Sequence, residues 1–218
     1  MIELKYGNTN TYLIKGDEKY LLFDTDWAGT FGMFCKALKE KNVKLQDIEY
    51  LVISHFHPDH MGIAGEIARA GVKIVVADVQ KEFVHFADAI FEKDGVKSFV
   101  PIDSTMTVEI SVSESRQFLR NIGIEGEIIY TPGHSDDSIS IMLDDGALFV
   151  GDLNPLYELE LHEGTVIGDS WERLLALKPS RVFYGHAKTA ILGDNEKICT
   201  QETDEQEKYK LVSDTSER

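Results

Sequence analysis

The sequence predicts a mixed α/β fold of the α+β kind, and two patterns along its 218 residues carry that prediction. Short apolar or alternating runs, of which 50–54 is the clearest, are typical of β-strands. Between these runs lie segments whose apolar residues recur every three or four positions, as in 29–41, and this spacing is typical of amphipathic helices. Hydrophobic residues make up 43% of the chain and charged residues 28%, which is ordinary for a globular domain with one sizeable core.

The first half of the chain is predicted to begin as a sheet. Three strands are predicted where residues alternate or run apolar, over 2–6, 11–15 and 20–24, with Gly16-Asp17 as a hairpin turn. The helix over 29–41 is predicted because Phe31, Phe34 and Leu38 recur at helical spacing, with Cys35 beside them. The elements predicted next are a strand over 50–54, a helix over 62–70, a strand over 73–77 and an amphipathic helix over 80–93.

The second half is predicted to continue the alternation of strands and helices. The predicted strands lie near 99–102, 106–110, 127–130, 138–143, 147–151 and 181–184, and the predicted helices cover 115–122 and 170–177. The sequence Asp144-Asp145-Gly146 is typical of a hairpin turn. Ser170 is predicted to cap the last helix, because a serine oxygen at that position accepts a hydrogen bond from the first turn.

One domain is predicted over residues 1–190. No internal repeat and no low-complexity linker divides this part of the chain. Residues 191–218 are polar and hold few apolar positions, so we predict a C-terminal tail or a surface helix there.

The net charge of the chain indicates which kinds of partner it can bind. There are 38 acidic and 22 basic residues, which gives a formal net charge of −16. Proteins bind nucleic acid mainly by neutralising its phosphates with Lys and Arg, so no nucleic-acid partner is expected. A small-molecule substrate is expected instead, and the sequence leaves a homo-oligomer open.

The sequence gives no sign of a membrane partner or of export. No stretch approaches the roughly 20 apolar residues that cross a bilayer, and the first residues alternate as a strand does rather than forming an export signal. Cys35 and Cys199 form no disulfide or metal-binding pattern. We therefore expect a cytoplasmic protein.

Residues able to bind a metal follow four of the predicted strands. Because strand ends on one rim of a sheet can converge, we expect these side chains to meet. Imidazole nitrogen and carboxylate oxygen are ligands that Zn²⁺, Fe and Mn²⁺ accept while leaving coordination positions open. The residues are His55, His57, Asp59 and His60 after the first of these strands, and then His134, Asp152 and His186 after the other three.

Each of these residues also has an ordinary structural interpretation. Asp59 at a helix start is compatible with a simple N-cap. His134 and Asp152 are residue types common in turns, and His186 after a glycine is compatible with an edge position. Together, five histidines and two aspartates at successive strand ends are enough for two ions with a position left for water, so we predict a two-metal site.

The segment His55-Phe-His57-Pro-Asp59-His60 resembles the His-x-His-x-Asp-His signature of the metallo-β-lactamase fold. The resemblance covers roughly residues 1–190, because the His134 loop, Gly151-Asp152 and Gly185-His186 follow in the family's order. It implies a four-layer αββα sandwich, in which two mixed β-sheets are flanked by helices.

The resemblance also implies a ligand set for two divalent ions, with Zn²⁺ the first expectation and Fe or Mn²⁺ as alternatives. The first metal would be held by His55, His57 and His134. The second would be held by Asp59, His60 and His186, and Asp152 would bridge the two. Asp24 lies where the family often places a carboxylate behind the ligands, although an acidic residue at a strand end is also common in turns.

The activity implied by the resemblance is hydrolysis by a metal-activated hydroxide, with Asp59 steering the nucleophile or relaying its proton. A thioester or lactone, that is, a small ester-like bond, is the first expectation. The branch resembled is glyoxalase II-like or lactonase-like rather than a true β-lactamase, because a bridging Asp152 is unlike the zinc β-lactamases. Two alternatives stay open: an iron-dependent redox enzyme of the persulfide dioxygenase type, and a non-catalytic metal-binding sensor.

Three further residues have no settled role in the sequence. Tyr157 loosely matches a tyrosine that lactonases of the fold carry after the bridging aspartate. His162 lies in a loop that is expected to border the site, and His85 is expected in the core or on the surface of the 80–93 helix. The role of residues 191–218 is likewise open.

Overall fold

The computed structural model describes residues 1–193 and 198–199. Its strands are β1 (Ile2–Leu4), β2 (Thr11–Lys15), β3 (Tyr20–Phe23), β4 (Ile48–Val52), β5 (Lys73–Ala77), β6 (Thr107–Ile110), β7 (Gly126–Tyr130), β8 (Ile139–Leu143), β9 (Ala147–Phe149), β10 (Arg181–Phe183), β11 (Ala190–Leu192) and β12 (Ile198–Cys199). Its α-helices are α1 (Phe31–Glu40), α2 (Pro58–Met61), α3 (Ala64–Arg69), α4 (Asp88–Lys93), α5 (Ser115–Asn121) and α6 (Val166–Ala176).

The strands form two mixed sheets of six strands each. The first has the order β1-β2-β3-β4-β5-β6 and the second the order β12-β11-β10-β9-β8-β7. Pairing is antiparallel from β1 to β3 and parallel from β3 to β6. In the second sheet β9 and β10 are parallel, and the other described pairs are antiparallel.

The buried side chains separate into three cores, which define four layers. Along β2, Tyr12 and Ile14 pack between the two sheets, whereas Leu13 packs with α1 and α3 on the outer face of the first sheet. On the outer face of the second sheet, Trp171 of α6 packs with Leu148. The alternation of side chains along a strand thus serves two cores at once, and the predicted helix–sheet–sheet–helix sandwich is confirmed.

Parallel pairing brings several loops to one edge of the sandwich. The last residues of β3 and β4, Phe23 and Val52, are register partners. The last residues of β9 and β10, Phe149 and Phe183, are partners in the same way. The loop that follows each of these strands therefore starts beside the loop of its neighbour.

The region 80–93 differs from the single amphipathic helix that was predicted. A 3₁₀ helix over Asp78–Phe83 and the separate helix α4 stand in its place. The side chain of Gln80 is fully buried, where it accepts a hydrogen bond from the amide of Ala77 (3.3 Å) and donates to the carbonyl oxygen of Ile53 (2.9 Å). These bonds hold a tight turn at the start of the segment, and periodicity alone does not reveal them.

Two other predicted elements are also wrong in detail. No strand forms over 99–102, where the carbonyl of Val100 lies against Gly65 and Ile102 is buried in the helix-side core. By contrast, the predicted helix over 62–70 is observed as α3, Ala64–Arg69, and the short helix α2 precedes it. The last helix, α6, begins at Val166 rather than at Ser170.

Ser170 is consequently not an N-cap. Thr165 caps α6, and its hydroxyl accepts a hydrogen bond from the amide of Gly168 (3.3 Å). Ser170 is buried inside the helix and donates to the carbonyl oxygen of Pro132 at 2.7 Å. This bond ties α6 to the loop that carries His134.

The segment predicted as a polar tail or surface helix starts as sheet. Ile191 and Leu192 belong to β11, and β11 pairs antiparallel with β12 at the edge of the second sheet. The other residues beyond Gly193 lie outside the described part of the chain, so the prediction for them stays a prediction. Among the residues that the structure describes, no helix is long and apolar enough to cross a membrane.

The core between the sheets depends on a group of aromatic rings. Phe149 is fully buried, stacks on Phe183 at 4.9 Å between ring centroids and meets Tyr12 edge-on at 5.3 Å. We expect Phe149→Ala to lower the free energy of unfolding by about 3–5 kcal/mol, because the lost ring leaves a cavity between two sheets that cannot fully collapse. Urea unfolding measures the change. The control Leu161→Ala removes an 81% exposed side chain and is expected to change stability by less than about 0.5 kcal/mol; equal losses for both variants would contradict the packing described here.

Candidate metal centre

The chain after β4 is held between the two sheets. The carbonyl of Ser54 accepts a hydrogen bond from the amide of Ile139 (2.8 Å), the first residue of β8. Two residues further, the amide of Phe56 donates to Oδ2 of Asp137 (2.7 Å). Pro58 then opens α2, where proline is favourable because its fixed backbone angle suits the first turn and no amide donor is needed there. His55 and His57 therefore precede this short helix, and Asp59 and His60 lie within it.

The other three predicted ligands each follow a glycine. His134, Asp152 and His186 come after Gly133, Gly151 and Gly185. A Cβ on Gly185 would lie 2.7 Å from Oδ1 of Asp152 and 2.8 Å from Cε1 of His60. The backbone at position 185 thus approaches these two side chains more closely than any other residue type allows.

All seven side chains named from the sequence come together, in two clusters of His and Asp suited to binding metal ions. The first cluster is His55, His57 and His134, and the second is Asp59, His60, Asp152 and His186. Within each cluster the possible ligand atoms lie within 4.8 Å of one another. Their role as metal ligands stays a prediction, but their convergence is a property of the fold.

In the first cluster, the three imidazole rings lie within 4.9 Å of one another between centroids. Nε2 of His134 lies 3.1 Å from Nδ1 of His57. His55 is 1% exposed, and its Nε2 is a buried nitrogen without a hydrogen-bond partner. Burial, followed by the neighbouring His60 and His57, holds the pKa of His55 well below its usual range. His55 is thus a neutral imidazole with an unused nitrogen, as a metal ligand requires.

In the second cluster, carboxylate oxygens alternate with imidazole nitrogens. Nε2 of His186 lies 3.2 Å from Oδ2 of Asp59, and Nε2 of His60 lies 3.2 Å from Oδ1 of Asp152. The hydrogen bond with His186 lowers the pKa of Asp59 to about 2, even though partial burial acts in the opposite direction. This carboxylate is therefore ionised at neutral pH.

Asp152 lies between the two clusters. Its Oδ1 faces His60 (3.2 Å) and His186 (3.5 Å), and its Oδ2 is 3.7 Å from Nε2 of His134. Oδ1 is buried and makes no hydrogen bond of good geometry. One carboxylate thus faces both groups of ligand atoms, which is the arrangement that the family resemblance implied.

Asp24 contacts the second cluster from behind. It is fully buried, with a φ of +61°, and its Oδ2 lies 2.9 Å from Nδ1 of His60. Burial opposes a charge on His60, but the carboxylates of Asp24 and Asp152 outweigh it and raise the pKa of His60 to about 10. The surroundings of His60 therefore favour positive charge, which a bound cation supplies in place of the proton.

The donor set and these unpaired atoms fit divalent metal ions. Nitrogen and oxygen donors without cysteine suit Zn²⁺, Fe and Mn²⁺. Buried polar atoms are nearly always paired in proteins, so the unpaired Nε2 of His55 and Oδ1 of Asp152 in one small region indicate a missing partner that accepts both lone pairs. A cation is such a partner.

The remaining histidines have other contacts. The side chain of His85 is mostly exposed, and its Nδ1 lies 2.9 Å from Oδ2 of Asp88. The carbonyl of His162 accepts hydrogen bonds from the amide and hydroxyl of Thr165 at the start of α6. Tyr157 is 64% exposed. None of their described contacts reaches the two clusters.

Two neighbours of the clusters were not identified from the sequence. The carbonyl of Asn8 lies 3.2 Å from Nδ1 of His186, although the two residues are 178 positions apart. Phe86 lies with its ring 5.6 Å from that of His57, between centroids. Neither has a local pattern that signals such a contact, since a loop carbonyl and a surface phenylalanine occur throughout any globular protein.

The family of the chain follows from this fold and from a direct match. A family model of the metallo-beta-lactamase superfamily matches residues 4–186, and the chain belongs to that superfamily.

Its relatives include proteins named as hydrolases. A "Beta-lactamase-like protein 2 homolog" of Drosophila melanogaster is 26% identical over 82% of this chain and 58% of its own length. A "Probable metallo-hydrolase" of Methanocaldococcus jannaschii is 30% identical over 67% of this chain and 68% of its own. An "Atrochrysone carboxyl ACP thioesterase" of Aspergillus fumigatus is 25% identical over 66% of this chain and 29% of its own. The chain spans about half the length of the Drosophila relative, and less of the Aspergillus one.

Solved structures share the fold. The protein TTHA1623, in a di-iron-bound form, superposes with a TM-score of 0.63 at 20% identity, over 87% of this chain and 93% of its own. An archaeal metallo-beta-lactamase superfamily protein from Sulfolobus tokodaii superposes with a TM-score of 0.58 at 17% identity, over 98% and 94% of the two chains.

The close approach at Gly185 generates a test of the cluster geometry. Gly185→Ala is expected to lower zinc affinity at least about tenfold, because its methyl group displaces Asp152 or His60. The control is Gly32→Ala in α1, where a Cβ meets no atom within 4 Å. Bound zinc per chain is measured by elemental analysis after dialysis against a weak chelator. Wild-type zinc content in Gly185→Ala would show that the second cluster is not the binding site.

Proposed function

We propose that this chain is a dinuclear metal-dependent hydrolase that acts on a small ester-like bond, with thioesters as the first substrate class and lactones as the second. The observation that carries the proposal is the sharing of Asp152 between the two clusters, since its two oxygens face histidines of both. His55, His57 and His134 would hold one ion. Asp59, His60 and His186 would hold the other, and Asp152 would bridge them.

Zn²⁺ is the ion that we propose first, with Fe and Mn²⁺ as alternatives that the same donors accept. When bound, such a pair of ions lowers the pKa of a shared water towards 7 and stabilises negative charge on the substrate oxygen.

The open side of the clusters supports catalysis rather than a purely structural role. The side chains of Asp59, His134 and His186 are 38%, 32% and 37% exposed, whereas those of His55 and His60 are buried. Structural zinc sites are usually closed and often rich in cysteine. Here buried imidazoles line the floor and exposed ligands the rim, which leaves room for a substrate. This argues against a sensor that keeps metal only for structure.

Asp59 is the proposed catalytic residue. Its carboxylate is ionised and lies on the rim of the second cluster, where Oδ2 is 3.2 Å from His186. The hydroxyl of Thr9 donates to the Asp59 carbonyl at 2.7 Å and fixes the backbone below it. An ionised carboxylate accepts hydrogen bonds, so Asp59 would orient the attacking water or relay its proton.

The choice of substrate class rests on the relatives and on the charge of the chain. The Aspergillus relative is named as a thioesterase, and a thioester carbonyl needs no protein nucleophile when water is activated nearby. The formal net charge of −16 disfavours nucleic acid and favours a small molecule. A cytoplasmic location belongs to the same proposal.

A second candidate function is an iron-dependent redox enzyme, and it is favoured by the di-iron form of TTHA1623. The same seven ligands serve either chemistry. Elemental analysis of the purified protein, combined with oxygen uptake in the presence of a persulfide, separates the two: iron with oxygen uptake identifies the redox enzyme, and zinc without uptake identifies the hydrolase.

The hydrolase proposal predicts the effect of removing single ligands. His57→Ala and Asp152→Asn are each expected to lower kcat/KM more than about a hundredfold, because the bound ions contribute several kcal/mol of transition-state stabilisation. Rates are measured with zinc-loaded protein on a panel of thioester, lactone, β-lactam and phosphodiester substrates. The matched control is His85→Ala, which removes a surface histidine outside both clusters and is expected to leave the rates unchanged. Full activity in metal-free His57→Ala protein would overturn the mechanism.

From the position of Phe86 we predict that the proposed hydrolase prefers substrates with apolar acyl groups. Phe86 is 49% exposed, and its ring lies beside that of His57 at the mouth of the first cluster. An exposed aromatic surface there favours a substrate that buries apolar area against it, at about 25 cal/mol per Å². Phe86→Ala is therefore expected to raise the KM for long-chain acyl thioesters several-fold, while the KM for acetyl thioesters changes little. Phe86→Leu keeps an apolar side chain and should retain most of the preference for long-chain substrates. An equal change for short and long substrates would exclude this role.

A further inference from the structure

The buried hydroxyl of Ser54 contacts residues of both clusters. Its Oγ lies 2.8 Å from Oδ2 of Asp24, 3.0 Å from Nδ1 of His55 and 3.4 Å from Nδ1 of His60. Ser54 is 1% exposed and Asp24 is fully buried, so bulk water does not compete for these contacts. The hydroxyl therefore lies beside the Nδ1 atoms of both imidazoles.

The hydrogen-bond partners of the Ser54 hydroxyl determine which way its proton points. Asp24 is a carboxylate that also accepts from the Ser54 amide (2.6 Å) and from Nδ1 of His60 (2.9 Å), so it donates no proton. Two oxygens 2.8 Å apart repel unless a proton lies between them, and the only proton available is that of the Ser54 hydroxyl. That proton points to Asp24, which leaves Oγ as an acceptor towards His55.

We propose that Ser54 is a positioning residue which fixes the tautomer of His55, so that Asp24 controls both clusters: His60 directly and His55 through the Ser54 hydroxyl. Nδ1 of His55 carries the proton and donates it to Oγ. Nε2, the buried nitrogen without a partner, then presents its lone pair to the first ion. The inference rests on the proposed metal sites.

The packing around Ser54 holds the relay in one arrangement. A Cβ on Gly151 would lie 2.3 Å from the Ser54 Oγ, so the backbone at position 151, with a φ of +56°, covers the hydroxyl. The Ser54 carbonyl is held by the amide of Ile139. The backbone of Gly151 therefore limits the space into which the hydroxyl can move.

The first test measures the tautomer of His55 directly. Two-bond ¹H–¹⁵N spectra of the full chain, before and after addition of zinc, report which ring nitrogen carries the proton. The Nδ1–H form is expected in both states. A wild-type protein whose His55 carries its proton on Nε2 in the zinc-free state would overturn the proposal, and this measurement requires no variant and no activity.

The second test compares variants by zinc titration against a chelator of known affinity. Ser54→Ala removes the acceptor, so the His55 proton is no longer confined to Nδ1 and affinity at the first cluster is expected to fall about tenfold. The zinc affinity of the second cluster should stay within about threefold of the wild-type value. The ring signals of His57 and His134 report the first cluster, and those of His186 report the second. Ser54→Thr keeps the hydroxyl and is expected to retain both affinities.

Two further variants make the result specific. Asp24→Asn is expected to weaken both clusters, because an NH2 group replaces one of two carboxylate oxygens that both accept hydrogen bonds, and because the negative charge beside His60 is lost. Ser140→Ala removes another fully buried hydroxyl, which pairs with Thr131 instead of a ligand, and it should leave both affinities unchanged. If Ser54→Ala binds both ions as the wild type does, or loses no more affinity than Ser140→Ala, the relay is wrong. Failure of the wild type to bind two ions would instead overturn the proposed function and leave the tautomer result standing.

Discussion

Parallel pairing at the centre of each sheet is the constraint on which the site depends. β3 with β4, and β9 with β10, end in register, so the loops that follow them start side by side. Strands that ended at opposite edges would separate Asp24 from His60 and Asp152 from His186. The fold therefore does more than hold the segment 55–60 in place. It sets the distances across which seven side chains, taken from four loops, meet.

Electrostatics then determines what these side chains can hold. Buried carboxylates are costly unless they face positive charge. Asp24 lies behind His60 and Asp152 lies in front of it, and together they hold positive charge at that point even without an ion. His55, with no carboxylate in direct contact, stays neutral. The two clusters thus differ in composition: the first contains histidines alone, whereas the second combines histidines with two aspartates.

The sequence was sufficient for the fold class and for the residues that gather at the edge, because both depend on local patterns. A strand followed by a ligand-rich loop can be recognised from a few residues, as at 51–60. The predictions for two segments were wrong because long-range hydrogen bonds determine their structure. Gln80 and Ser170 form hydrogen bonds to distant backbone carbonyls, and such bonds override the periodicity and capping signals of their own segments. The Asn8 and Phe86 contacts were equally hidden, because they depend on the packing of loops.

The route of the chain between Asp152 and His186 has a consequence for how such proteins diversify. The chain leaves β9, passes through the 3₁₀ segment Leu156–His162 and α6, and returns to β10, which lies directly beside β9. Because the two ends of this excursion are fixed by one ladder of backbone hydrogen bonds, insertions or deletions within it leave the ends in place. Evolution can therefore remodel this segment while Asp152 and His186 keep their spacing.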